Sequence, residues 1–168
     1  MGTSLAVLTV VHTVISLVGI AAGIVVAVGM LRANRLPGWT AVFLVTTVAT
    51  SVTGFFFPFT GLKPSHVVGV LSLVALVLSL LGLYAFRLSG PWRRVYVIGA
   101  VVALYLNVFV LVAQAFQKVP FLTPLAPTQS EPPFAVAQVA VLALFIWLGF
   151  KAVRAFHPER GGLVLEPA

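Results

Sequence analysis

The chain has 168 residues, of which 61% are hydrophobic and only 8% charged, and its mean hydropathy is +1.15. Soluble domains carry about 25% charged residues, so this chain could not cover its own surface in water and reads as an integral membrane protein. It contains no cysteine, which excludes disulfides, thiolate catalysis and Cys-ligated zinc or iron–sulfur centres. The net charge of +7 sits in short breaks between apolar runs, where it marks topology beside anionic lipid rather than a nucleic-acid surface.

A spanning helix needs roughly 20 mostly apolar residues. Five stretches meet this length: about 4–30, 39–58, 65–87, 93–118 and 133–156. The opening MGTSLAV has no basic leader, and its apolar run outlasts a signal peptide, so the first stretch is expected to be a retained span. The breaks LRANRLPG, PFTGLKP, LSGPW and VPFLTPLAPTQSEPP each contain proline, which cannot continue a helix. The fold class expected is one all-α bundle of five transmembrane helices, forming a single domain with a short tail at 157–168. Arg32, Arg35, Arg87, Arg93, Arg94, Lys151, Arg154 and Arg160 fall on one side, against Lys63 and Lys118 on the other. The positive-inside rule then puts the N-terminus outside and the C-terminus in the cytoplasm, in a bacterial-type inner membrane. Trp39, Trp92, Tyr84 and Tyr96 fall near inner helix ends, as interfacial aromatics would.

Lipid does not drive helices together, so packing faces appear as small and polar residues at helical spacing. The first span offers Thr9, His12, Ser16, Gly19, Gly23 and Ala27. The second offers Thr46, Thr47, Thr50, Ser51 and Gly54, and the third Ser65, Gly69, Ser72, Ala75, Ser79 and Gly82. The fourth offers Ala100, Ala103, Asn107, Gln114 and Lys118, whereas the fifth has only Ala135 and Gln138. Gly19–Gly23 is a GxxxG pair, which serves contacts within a bundle or a homo-oligomer.

Asn107, Gln114 and Gln138 are costly against hydrocarbon and are expected to face protein, water or a ligand. Helix depth, at roughly 1.5 Å per residue, places Gln114 and Gln138 with His12, Ser51 and Ser72 in the outer half of the bundle. His12 is the sharpest candidate: a hydrogen-bonding imidazole in a pocket, or a ligand to haem. His66 opens the third span at a different depth from His12, which counts against a shared bis-histidine haem. His157 reads as part of a basic interfacial cluster.

The acids are Glu131, Glu159 and Glu166, and none lies within a span. Membrane-embedded carboxylate relays and paired-carboxylate catalysis therefore lack their ingredients, and no HExxH, GxSxG or phosphate-cradling loop occurs. The loop SVTGFFFPFTGLKPSH gathers Phe55, Phe56, Phe57 and Phe59 as an interfacial belt or an apolar lip over a pocket. Glu131 precedes the fifth helix, where it favours the helix dipole or pairs with Lys63 or Lys118.

These residues lead to the expectation of a non-enzymatic membrane module, acting alone or as an accessory subunit of a larger complex. It would bind a lipid, quinone or similar amphiphile in its outer half. His12, Thr50, Ser72, Asn107, Gln114, Gln138, Phe55 and Phe56 would line the site, with Lys63, His66, Lys118 and Glu131 as gate or partner contacts. The alternatives are a small channel or facilitator and a b-type cytochrome-like carrier using His12.

Overall fold

The computed structural model describes residues 2–57 and 64–158, with only the backbone of Pro64 and Ser65. Among these residues there is no strand. The chain folds into α1 (Thr3–Leu31), α2 (Pro37–Gly54), α3 (Pro64–Leu80, continued by a π-helical turn Leu81–Ala85), α4 (Trp92–Lys118) and α5 (Pro132–Ala155). Proline opens three of the five helices, where its missing N–H costs nothing.

Four of the five helices are long and apolar enough to cross a membrane: α1, α3 with its π turn, α4 and α5. The expected count of five spans is corrected to four. The helix that falls short is α2, which stops at Gly54 rather than running to Pro58. Its 18 residues include five threonines and a serine, which lower its hydropathy, and at ~1.5 Å per residue it reaches roughly 27 Å.

Packing compensates for that polarity. The α1–α2 hairpin closes at residues 32–36, and α2 runs back antiparallel along α1. His12 meets Thr53, Ser16 meets Thr50, Gly19 meets Thr46 and Thr47, Gly23 meets Phe43, and Gly29 meets Leu36. Both glycines of the GxxxG pair are therefore buried inside this chain, Gly19 against α2 and Gly23 against Phe43 and Leu104 of α4.

Helix α4 packs against all four other helices. Its Gly99 lies close to the backbone of α3 at Ala75 and to the Ser79 hydroxyl, which itself donates to Ala75 O at 2.9 Å. The central core is built from Met30, Phe43, Leu76, Tyr96, Val97, Leu104 and Phe156, each at most 2% exposed. Tyr96 is thus a core residue rather than an interfacial aromatic, with its ring 5.8 Å from that of Phe156. Trp39 and Tyr84, by contrast, are exposed.

Helix α5 lies outside this group, against α4 and α1, and buries only Gln138, Phe145 and Ala152. Because consecutive helices alternate in direction, Arg32, Arg35, Arg87, Arg93, Arg94, Lys151 and Arg154 gather at one end of the bundle. Lys118 is at the opposite end, and Lys63 and Arg160 lie outside the described residues.

Candidate functional site

At the end opposite the basic cluster, α1 to α4 diverge around a cavity of about 390 Å³. Each helix contributes polar groups from the face that its small residues define. They are Thr9, His12 and Ser16 from α1, Thr50 and Ser51 from α2, Ser72 from α3, and Asn107, Gln114 and Lys118 from α4. His66 also reaches the cavity, and Phe55 and Phe57 stand at the α2 end. Towards the basic end the lining closes on Ile20 and Leu106, and beyond them lie the packed side chains of Phe43 and Leu104.

Hydrogen bonds between helices fix these groups. His12 Nδ1 is 2.8 Å from Thr53 Oγ1, and that hydroxyl donates back along its own helix to Ala49 O at 2.7 Å. A hydroxyl has one proton, so Thr53 accepts from His12 Nδ1–H, which leaves Nε2 as a lone-pair acceptor. The Phe57 ring meets the imidazole edge-on at 5.2 Å. Ser51 Oγ, which donates to Thr47 O at 3.0 Å, lies 3.1 Å from Ser72 Oγ and accepts from it, joining α2 to α3. Asn107 Nδ2 donates to Thr47 Oγ1 at 3.4 Å, joining α4 to α2. The hydroxyls of Thr9, Ser16 and Ser51 donate to carbonyls of their own helices, as Ser16 does to His12 O at 2.6 Å, so they cost little to place in an apolar bundle.

Of the candidate ligand-binding residues, the structure brings His12, Thr50, Ser72, Asn107, Gln114 and Phe55 to one cavity, together with His66 and Lys118. It leaves two elsewhere. Phe56 is 68% exposed on the outer surface. Gln138 is buried between α5 and α4, donating to Phe109 O at 3.1 Å, and its Oε1 has no hydrogen-bond partner among the described residues. Lys63 lies outside the described residues.

Glu131 makes no ion pair with Lys118. Its carboxylate instead closes its own loop, accepting from the Thr128 hydroxyl at 2.8 Å and from the N–H groups of Thr128 and Ser130 at 3.1 Å. Desolvation, which raises the carboxyl's pKa, is outweighed by the sum of these bonds from Thr128 and from backbone N–H groups, and its pKa falls below the ordinary value.

His12 and His66 both line the cavity. Phe55 stacks on His66, with ring centroids 6.0 Å apart. Among the described residues no group of three or more His, Cys, Asp or Glu side chains is arranged to hold a metal ion.

The sequence reading missed Thr53 as the partner of His12. It was recoverable from the hairpin register: 12 with 53, 16 with 50, 19 with 46 and 29 with 36 each total 65 or 66.

Among the described residues, the cavity thus holds hydroxyls, amides and imidazoles, with one ammonium and no carboxylate. Of the chain's acids, Glu131 is tied into its loop, and Glu159 and Glu166 lie outside the described residues. Comparison with protein families, with curated proteins and with solved structures found no match.

Proposed function

We propose that this protein is a multi-pass membrane module of a bacterial-type inner membrane that binds an amphipathic small molecule in the cavity between α1 and α4. The basic end would face the cytoplasm, following the positive-inside rule. One observation carries the reading: four helices direct polar side chains into one recess of about 390 Å³ that also has an aromatic edge. Small-molecule sites have this composition, a mostly apolar wall with a few placed polar groups.

The polar set indicates what the ligand's head would carry. Lys118 offers donors to an anionic or carbonyl oxygen, and His12 Nε2 accepts from a hydroxyl. With no carboxylate among the described residues facing it, the cavity selects against a cationic head. Leu17, Val110 and Leu111 supply an apolar wall for the tail. A lipid, a quinone or a fatty acid satisfies this description.

Native mass spectrometry of the full chain in mild detergent tests the reading. A small amphiphile is expected to remain bound to the wild type and to be lost from the Thr50→Leu/Asn107→Leu variant. A bound amphiphile retained equally by the double variant would overturn the site. A Soret band in the purified protein would replace the reading with a haem carrier. Ion flux through liposomes containing the pure protein would replace it with a channel.

A further inference from the structure

A second recess of about 370 Å³ lies between α4 and α5, away from the polar cavity. Its wall is apolar, formed by residues such as Val101, Leu142, Phe145 and Ile146, and Arg154 closes it at the basic end. The recess exists because Gly149 leaves a notch on α5: a Cβ added there would meet only Val101 Cγ1, at 3.6 Å. Neighbouring α5 side chains Ile146, Trp147 and Phe150 are more than half exposed, as expected of a helix face bathed in acyl chains.

The charges at this end are arranged unevenly. Arg93 is committed to the protein, donating to Val153 O at 3.0 Å and Phe156 O at 2.5 Å at the end of α5. Arg154 is not: its guanidinium lies over the Phe150 ring at 4.9 Å and donates no hydrogen bond to a described residue. Lys151 similarly lies 5.9 Å from the Trp147 ring centroid. The described residues at this end include seven Arg and Lys and no acid. Fixed positive charge at the mouth of an apolar groove complements an acyl chain bearing an anionic head, and guanidinium binds phosphate oxygens in a fork.

We infer that the α4–α5 groove is a binding site for an anionic phospholipid of the leaflet at the basic end, with one acyl chain along Val101, Leu142 and Phe145 and the phosphate on Arg154. The site is separate from the polar cavity and does not depend on what that cavity binds.

The test is native mass spectrometry of the delipidated full chain titrated with phosphatidylglycerol or phosphatidylcholine of the same acyl composition. The wild type is expected to prefer phosphatidylglycerol. Arg154→Gln should reduce that preference about fivefold, the effect of one basic residue at a membrane surface. Gly149→Leu fills the notch and should reduce uptake of both lipids. Thermal unfolding confirms that each variant is folded, and Gly149→Ala, whose methyl makes an ordinary contact, provides a milder filling variant. Equal uptake of the two lipids by the wild type would overturn the inference. So would a preference unchanged in Arg154→Gln, which would assign it to the general charge of this end.

Discussion

The bond between His12 and Thr53 is where the fold and the candidate site depend on the same atoms, and a double-mutant cycle measures it. His12→Ala removes the imidazole, Thr53→Val removes the hydroxyl at nearly constant shape, and the double variant closes the cycle. Hydrogen bonds between helices in membranes contribute about 0.6 kcal/mol on average and about 1.7 at most. This one is short, at 2.8 Å, and part-buried between α1 and α2, so the upper half of that range, about 1–1.7 kcal/mol, is expected for the coupling. His12→Ala alone should cost more, because it also loses the edge-on contact with Phe57 at 5.2 Å, a type of contact worth about 0.5–1.5 kcal/mol. The single variant is therefore expected to lose about 1.5–3 kcal/mol and Thr53→Val about 1–1.7. Reversible unfolding in a mixed micelle titrated with a denaturing detergent gives all four free energies. Independent sites add to within about 0.3–0.5 kcal/mol. A coupling below about 0.3 kcal/mol would refute the pairing, and with it the assignment of Nε2 as the acceptor in the cavity.

Two further perturbations test the packing and the loop. Gly99→Ala would place a methyl 2.7 Å from Ala75 O and closer still to Ser79 Oγ; neither neighbour moves cheaply, so a loss of about 1–3 kcal/mol is expected. Gly149→Ala serves as its control and should be neutral in thermal unfolding; equal behaviour of the two would contradict the α3–α4 contact. Glu131 has a pKa below its unfolded value of 4.5, so its contribution to the loop is fully present above about pH 4.5 and lost as pH falls through the folded pKa. Amide exchange at Thr128 and Ser130 should accelerate only in that acidic window, and Glu131→Gln should produce the same acceleration at neutral pH. Unchanged exchange in Glu131→Gln would show that the carboxylate does not hold the loop.

The inward faces were legible in the sequence because a membrane leaves few other signals. Where lipid is as apolar as leucine, only small and hydroxylic residues allow helices to approach. The rows through Gly19 and Gly23, through Ser72 and Ser79, and through Ala100 and Asn107 therefore recur as the buried or cavity-lining faces. The span of α2 was less legible. Its threonines read as a packing stripe, and the same threonines keep it out of the set of helices apolar enough to cross a membrane.

Features that depend on three-dimensional shape left weaker traces. Tyr96 falls near a helix end in the sequence, and the close approach of Gly82 together with the return of Phe156 over it makes it core. The π turn at Leu81–Ala85 ends with Arg87 and Leu88 at positive φ, an irregularity that periodicity does not encode. The α4–α5 groove is a gap between two apolar faces, so polarity gave no warning of it. Its one mark in the sequence is Gly149, a missing side chain among large ones.

The central claim, that an amphiphile sits with its head among His12, Asn107 and Lys118, is tested most directly by mapping contacts. Photolysis of a diazirine-bearing long-chain fatty acid in proteoliposomes, followed by peptide mass spectrometry, reports which helices the chain touches. The account predicts labelling concentrated at Leu17, Val110 and Leu111, displaced by excess unlabelled fatty acid and weakened in Lys118→Met. Labelling spread over the exposed face of α5 at Val136 and Val139, unaffected by competitor or by Lys118→Met, would contradict it.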